Sequence, residues 1–166
     1  MTHPSASSKP TDGRAWRTEL TANDSSAKEV LGDIRREIDD TYGICEYKYI
    51  RNGTSSAFSD GQVLRALDKF KRSGTTLIAN RNIPIGVAFG AITASCYGWV
   101  QTKGYHDYVL TDAGGDIAAL EEITAANVAG VAQRVVLNAA ATIAVIGVAV
   151  ADDNGTSVEA NLCIPI

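Results

Sequence analysis

The chain has 166 residues, of which 45% are hydrophobic and 20% are charged, and this size and composition fit one globular domain with a buried core. Its modest net charge of −4 argues against a nucleic-acid-binding protein, and the longest apolar region, 128–151, is too interrupted by polar residues to predict a membrane span. The three cysteines are widely spaced without a CxxC pair, which argues against a disulfide framework and a zinc knuckle, and the start of the chain shows no apolar signal core.

Residues 1–27 are rich in Ser, Thr and Ala and show no apolar periodicity, which predicts an extended N-terminal arm ahead of a domain over 28–166. Trp16 lies in this polar stretch, with Arg14 and Arg17 close by. A tryptophan in such a position either anchors a partner surface or packs back onto its own domain, and the sequence does not choose between the two.

The stretch 28–51 fits two interpretations. Its apolar residues between 30 and 38 have helical spacing after the capping-box pair Ser26 and Glu29. The same residues also alternate as in a strand, and the run 46–51 alternates more clearly. We therefore expect an antiparallel hairpin with its turn at 39–43 rather than a helix.

The next stretch predicts turns and carries positive charge. Asn52-Gly53 predicts a type I′ turn and Asp60-Gly61 a second turn, whereas 64–72 fits either a short helix or an irregular strand. Residues 65–81 hold five basic residues against one acidic residue, and residues 102–166 hold two against eight. Such opposed patches either steer the chain toward a complementary protein surface or are merely solvated.

The phrase Ile-Gly-Val-Ala occurs twice, at 85–88 and 146–149, and each copy predicts the first strand of a hairpin. We expect the first hairpin to have strands over 85–92 and 96–101, and the second of these strands to stop at Gly104. The second hairpin should have strands over 146–151 and 157–164, joined by a turn at 152–155. This internal similarity predicts two equivalent ribbons in one sandwich or barrel.

The region between the hairpins predicts further short elements: a strand at 107–110, a turn at Gly114-Gly115, one helical turn at 119–122, and strands at 131–137 and 142–145. The total of roughly eight to ten short strands at these turn spacings predicts an all-β fold, a small β-sandwich or barrel-like domain of short antiparallel strands.

Catalytic and metal-binding patterns are scarce. Cys96 and His106 would need a third orienting group to act as a thiol–imidazole pair, and Cys96 is explained more simply as a small buried strand residue. The run 152–155 resembles a calcium loop only superficially, because the downstream ligands are missing, and it predicts a β-turn. We therefore expect neither an enzyme nor a metal or cofactor site.

Aromatic residues gather around the first hairpin, at Tyr97, Trp99, Tyr105 and Tyr108. Because side chains alternate along a strand, Tyr97 and Trp99 share one face. The core is the expected place for that pair, with a subunit contact surface as the alternative.

The order of several phrases resembles the decoration, or cement, proteins of tailed-bacteriophage capsids. IPIGVAFGAITASCYGWVQTKG is followed by a strand, a Gly-Gly turn and VIGVAVADDNGTSVEANLCI, and the earlier EYKYIRNGTSSAFSDGQVL is similar to the strand, turn and Gly-Gln-Val segment of that family. The resemblance covers residues 30–166 and consists of packing and turn residues.

The resemblance implies a structural protein on the outer capsid surface of the virion, made in the host cytoplasm, that binds the assembled major capsid protein and stabilises the shell. The implied partners are that capsid protein and further copies of the chain, as a homotrimer in preference to a homodimer, with no direct contact to nucleic acid or membrane. Another phage β-module, such as a tail or fibre domain that binds host glycans, is the alternative. The candidate partner-contact residues are Arg14, Trp16, Arg17, Lys69, Lys71, Arg72, Tyr105 and Tyr108.

Overall fold

The structure is a computed structural model that describes residues 9–10, 13–76, 83–112, 117–126, 129–135 and 144–164. Within these ranges every regular element is a β-strand, which confirms the all-β class. The strands are β1 (Lys9–Pro10), β2 (Ile34–Asp39), β3 (Gly43–Asn52), β4 (Val63–Ala66), β5 (Ser73–Thr75), β6 (Pro84–Ala88), β7 (Tyr97–Leu110), β8 (Glu122–Ala125), β9 (Ala132–Arg134), β10 (Val145–Ala149) and β11 (Ser157–Cys163). The described part of the chain contains no helix that is long and apolar enough to cross a membrane.

The strands of the first half close into a five-stranded barrel. β3 pairs antiparallel with β7, β7 with β6, β6 with β4 and β4 with β5, and β5 returns to pair in parallel with the end of β3. One apolar cluster fills this barrel and includes Ile50, Phe58, Leu64, Ile85 and Val100. Closure satisfies strand edges that an open sheet would leave exposed. We call this unit, residues 43–103, barrel 1.

The second half repeats the arrangement, and the long strand β7 belongs to both units. β7 pairs antiparallel with β11, β11 with β10, β10 with β8 and β8 with β9, and Ala132 of β9 forms a parallel bridge to Thr111 just after β7. The apolar cluster of this unit includes Val109, Ile123 and Ile146. We call this unit, residues 103–164, barrel 2.

The two barrels agree in strand register, including the position of a β-bulge. The β4–β6 register of barrel 1 and the β8–β10 register of barrel 2 each contain two regular pairs, then a bulge, then a third pair. The matching pairs are Val63–Val87 with Glu122–Val148, Leu64–Gly86 with Ile123–Gly147, and Arg65–Pro84 with Thr124–Val145. The fold is therefore a tandem repeat of one barrel topology with a shared strand, which extends the predicted pair of equivalent ribbons.

Gly104 does not stop the returning strand of the first hairpin, contrary to the prediction. β7 runs through Gly104 to Leu110, so the strand predicted at 107–110 is its continuation. Gly104 has φ +90°, and a Cβ there would lie 2.7 Å from the carbonyl oxygen of Ile44. The glycine thus lets β7 pass close to β3 where it leaves barrel 1.

The hairpin predicted around 39–43 is confirmed as β2 and β3, and the helical interpretation of 28–51 is wrong. The type I′ turn at Asn52-Gly53 is also wrong, because neither residue has the positive φ that such a turn needs. Instead, the buried Asn52 ends β3 and its Oδ1 accepts the N–H of Thr54 at 3.0 Å. Residues 64–72 divide into β4 and a loop.

The remaining differences lie at strand ends and turns. β6 ends at Ala88 rather than at 92, and no helical turn forms at 119–122, because Leu120 has φ +72° and β8 begins at Glu122. The predicted turn at 152–155 is confirmed by side-chain hydrogen bonds from its backbone, such as Gly155 N–H to Asp153 Oδ1 at 2.8 Å. The predicted Gly114-Gly115 turn lies outside the described residues, as do residues 136–137 and 142–143 of the two predicted strands. Within the described residues, the strand predicted at 131–137 is the shorter β9, and Val145 begins β10.

Candidate partner-contact surfaces

Residues 13–33 run over the outside of barrel 1. Trp16 is half-buried and packs edge-on against the fully buried Trp99, with ring centroids 5.2 Å apart. The Asp24 carboxylate accepts hydrogen bonds from Thr18 Oγ1 and Tyr49 OH, both at 2.9 Å. The described part of the predicted arm therefore packs on its own domain. Trp16 contacts barrel 1 of its own chain, as the second of the two alternatives expected.

Arg14 and Arg17 are exposed beside this contact. The Arg14 guanidinium lies 4.2 Å from the Trp16 ring centroid and forms ion pairs with Asp33 at 2.8 Å and Glu29 at 3.3 Å. The backbone N–H of Arg17 also donates to Glu29. Arg14 is thus ion-paired within the chain, whereas the side chain of Arg17 is exposed.

The tip of the β2–β3 hairpin exposes three large apolar side chains, Ile38, Tyr42 and Ile44. Ile38 and Ile44 lie directly opposite each other in the register, so they share one face. Asp39 orders the turn, because its Oδ1 accepts the N–H groups of Thr41 and Tyr42 at 2.8 and 2.9 Å. We call residues 38–44 the hairpin tip.

Tyr105 and Tyr108, two of the predicted contact residues, lie on the part of β7 that belongs to barrel 2. Tyr105 is buried and stacks on Tyr42 with ring centroids 3.8 Å apart. Burial raises the pKa of the Tyr105 phenol, and the neighbouring Glu159 raises it further. Tyr42 therefore offers more surface to a partner than Tyr105 does. Tyr108 packs at the junction of the barrels, where a Cβ on Gly61 would lie 2.7 Å from its ring.

The loop between β4 and β5 holds the other predicted contact residues and one that sequence reasoning missed. Phe70 is 63% exposed, and Lys69 Nζ and Arg72 Cζ lie 4.9 and 5.5 Å from its ring centroid. An exposed aromatic ring flanked by cations suits a protein contact. The signal was present in the sequence as a phenylalanine between two lysines, Lys69 and Lys71. We call residues 67–72 the basic loop.

Two further cations extend the positive charge near the basic loop. Arg51 is exposed, and its backbone N–H donates to the carbonyl of Arg72 at 3.0 Å. Lys48 is buried, and burial lowers the pKa of its ammonium, as does the nearby charge of Lys71. Of the five basic residues counted in 65–81, the basic loop holds Lys69, Lys71 and Arg72, whereas Arg65 is buried and Arg81 lies outside the described residues.

Asp68 holds the basic loop in one conformation. Its carboxylate accepts the backbone N–H groups of Phe70 and Ser73, both at 2.7 Å, and of Arg72 at 3.2 Å. Burial raises the pKa of Asp68, but the hydrogen bonds lower it by a larger amount, so the pKa lies below its ordinary value. The loop is thus organised before any partner arrives.

Replacing Asp68 by alanine should lower the free energy of unfolding by about 1–2 kcal/mol at neutral pH, because three backbone N–H groups of the loop lose their shared acceptor. The folded pKa of Asp68 is depressed, so its stabilisation is complete above the unfolded pKa, about 3.8, and is lost as pH falls through the folded value. Urea unfolding of both proteins should therefore give a difference that shrinks below about pH 3.8. A difference that does not change with pH would contradict this role.

The outer face of barrel 2 exposes Leu120, Val148 and Val150. Val148 on β10 and Val150 just after it alternate with the buried Ala149, and the N–H of Leu120 donates to the Ala149 carbonyl at 2.9 Å, so Leu120 lies beside this segment. The exposed acidic residues around them are Glu122, Asp152 and Glu159. We call this surface the acidic–apolar face.

Leu120 is unusual in both conformation and exposure. It is 83% exposed and has φ +72°, a left-handed conformation that costs a residue with a side chain about 1–2 kcal/mol. The equivalent residue of barrel 1 is Gly61, with φ +75°. A strained backbone that presents a large apolar side chain to water suggests a contact site. Sequence reasoning missed Leu120 because its equivalence to a glycine appears only in the strand register.

The Cys96–His106 pair does not form. Cys96 immediately precedes β7 and His106 lies far along it, so the two are separated by about 30 Å of extended strand. Cys96 packs against the core of barrel 1, whereas His106 is fully buried beside Phe89 and its Nδ1 accepts the Tyr108 N–H at 3.2 Å. Across the residues that the structure describes, no group of three or more His, Cys, Asp or Glu side chains is placed to hold a metal ion.

No protein-family model, curated protein or solved structure matches the chain. Its function must therefore be inferred from its own surfaces. The hairpin tip, the basic loop and the acidic–apolar face are all suited to contact with proteins.

Proposed function

We propose that the chain is a structural virion protein that binds the outer surface of an assembled major capsid protein shell and stabilises it. The observation that carries the proposal is the hairpin tip, where Ile38, Tyr42 and Ile44 form an exposed apolar patch on a closed barrel. The resemblance of residues 30–166 to capsid decoration proteins supports the same role.

The hairpin tip has the properties of a docking element. Its turn is ordered by Asp39, and Tyr42 is fixed by stacking on Tyr105, so little freedom is lost when a partner binds. Exposed apolar side chains gathered in one place favour a protein surface over a small polar ligand.

A stabilising protein of a shell needs many modest contacts rather than a catalytic pocket. Each copy that spans neighbouring capsid subunits adds buried area at a symmetry-related position, so weak individual contacts strengthen one another. The closed barrels suit this role because they present rigid surfaces and few free strand edges.

The proposal is tested by adding the purified chain to expanded heads of the phage that carries its gene and measuring co-sedimentation against the major capsid protein. Wild type should saturate at a fixed ratio, and Ile44→Ser should weaken binding at least about tenfold, because a central apolar contact is lost. The matched control is Val30→Ser, since Val30 is 66% exposed but lies outside the hairpin tip.

The outcomes separate the candidate functions. Absence of saturable binding to heads would contradict the capsid role, and equal binding by the Ile44→Ser variant would contradict the role of the hairpin tip. Binding to host glycans in place of heads would favour the tail or fibre module.

A further inference from the structure

Within the chain, barrel 2 contacts β4 of barrel 1 through Ala126 and Gly130, two described residues between β8 and β9. The backbone N–H of Val63 donates to the Gly130 carbonyl at 2.9 Å, and Nη2 of the buried Arg65 donates to the Ala126 carbonyl. Val63 and Val87, which lie on the covered face, belong to the apolar cluster of barrel 2. The internal junction therefore joins the described ends of the β8–β9 connection and the core of barrel 2 to the β4–β6 face of barrel 1.

Two positions equivalent to the covered face are exposed on barrel 2, at Glu122 and Val148. The shared register places Val148 where barrel 1 has Val87, and Leu120 where barrel 1 has Gly61. Val87 is fully buried, whereas Val148 and Leu120 are exposed as part of the acidic–apolar face. Barrel 2 thus leaves uncovered the positions equivalent to Val63 and Val87, whereas Thr124, the equivalent of Arg65, is buried and donates to the Ala144 carbonyl at 2.8 Å.

The equivalent of the β8–β9 connection is exposed on barrel 1, and it is the basic loop. The two loops share a closing hydrogen bond and a residue with positive φ near their ends. The matching features are the bonds Leu67 N–H to Ser73 O and Ala126 N–H to Val131 O, and the residues Lys71 at φ +55° and Gly130 at φ +79°.

The two uncovered surfaces complement each other in charge and polarity. The basic loop presents Phe70 between Lys69 and Arg72. The acidic–apolar face presents Leu120, Val148 and Val150 together with its exposed acidic residues. Opposite charges around apolar centres favour association and set its orientation.

We propose that the basic loop of one copy docks on the acidic–apolar face of a second copy of this chain. The two surfaces differ, so the contact is heterologous, and successive copies close into a ring or extend further. Burial of the Leu120 side chain in this contact offsets its backbone strain. The inference does not depend on the proposed capsid role.

Sedimentation velocity of the full chain over a concentration series tests the proposal. Wild type should self-associate, and Phe70→Ser and Leu120→Asn should each raise the dissociation constant at least about tenfold. Asparagine tolerates the left-handed conformation, so the Leu120→Asn variant should keep its thermal stability. Val30→Ser, outside both surfaces, should associate as wild type does.

A mixture of the two variants gives the sharpest result. One variant keeps an intact loop and the other an intact face, so an equimolar mixture should form a one-to-one heterodimer while each variant alone stays monomeric. Three results would each overturn the proposal. They are a wild-type chain that remains monomeric at every concentration, a mixture that does not recover association, and a folded variant that associates as wild type does. Because Ile44→Ser leaves both surfaces intact, loss of capsid binding and loss of self-association are distinguishable.

Discussion

Replacing Trp99 by alanine should lower the free energy of unfolding by about 4 kcal/mol, through lost apolar burial and the cavity that remains. Trp99 is fully buried under residues 13–33, which we call the N-terminal segment, with the Tyr49 ring centroid at 5.1 Å and the Trp16 ring centroid at 5.2 Å. Urea unfolding followed by far-ultraviolet circular dichroism measures this loss without relying on tryptophan fluorescence.

Trp16→Ala is the matched comparison, because Trp16 lies on the other side of the same contact but is only half-buried. We expect a loss of about 1–2 kcal/mol. Limited proteolysis should then cut residues 13–33 faster while the barrels stay folded. A loss for Trp16→Ala as large as that for Trp99→Ala would mean that the N-terminal segment and barrel 1 are a single cooperative unit.

The two Ile-Gly-Val-Ala hairpins could be predicted because their glycines are required by packing. A Cβ at Gly86 would lie 2.5 Å from Val100 Cγ2, and a Cβ at Gly147 would lie 2.5 Å from the Asn161 carbonyl oxygen. Few other residues fit such positions, so the phrase remains visible in the sequence as a repeat.

The rest of the duplication could not be seen, because its equivalent positions require only apolar volume. Phe58 and Leu64 in barrel 1 correspond to Ile117 and Ile123 in barrel 2, and cores tolerate such exchanges. In addition, β7 is the last strand of one barrel and the first strand of the next, so no turn or linker marks a boundary between them.

The candidate surfaces were only partly predictable for a similar reason. Charge is a property of composition, so the basic stretch was visible and Lys69 and Arg72 were identified. Exposure of an apolar residue depends on what the tertiary structure leaves uncovered, which is why Phe70, Ile44 and Leu120 were missed. Trp16 shows the converse, because the sequence marked it correctly as unusual but could not say which surface it contacts.

Arg35 and Glu37 form a buried ion pair beneath the N-terminal segment, and the second large effect is expected there. Arg35 Nε donates to Glu37 Oε1 at 2.6 Å, and Arg35 Nη1 donates to the Thr18 carbonyl at 2.9 Å. The guanidinium also lies 5.8 Å from the Trp99 ring centroid. The pair therefore links β2, the N-terminal segment and the aromatic cluster of barrel 1.

Replacing Arg35 by methionine should lower the free energy of unfolding by about 3–5 kcal/mol, because the buried Glu37 carboxylate loses its countercharge. The double variant Arg35→Met with Glu37→Met should recover most of that loss, since two apolar side chains of similar volume replace both charges. Urea unfolding of the single and double variants gives the coupling energy. A double variant as unstable as Arg35→Met would show instead that the Thr18 contact, and not the ion pair, holds the N-terminal segment on barrel 1.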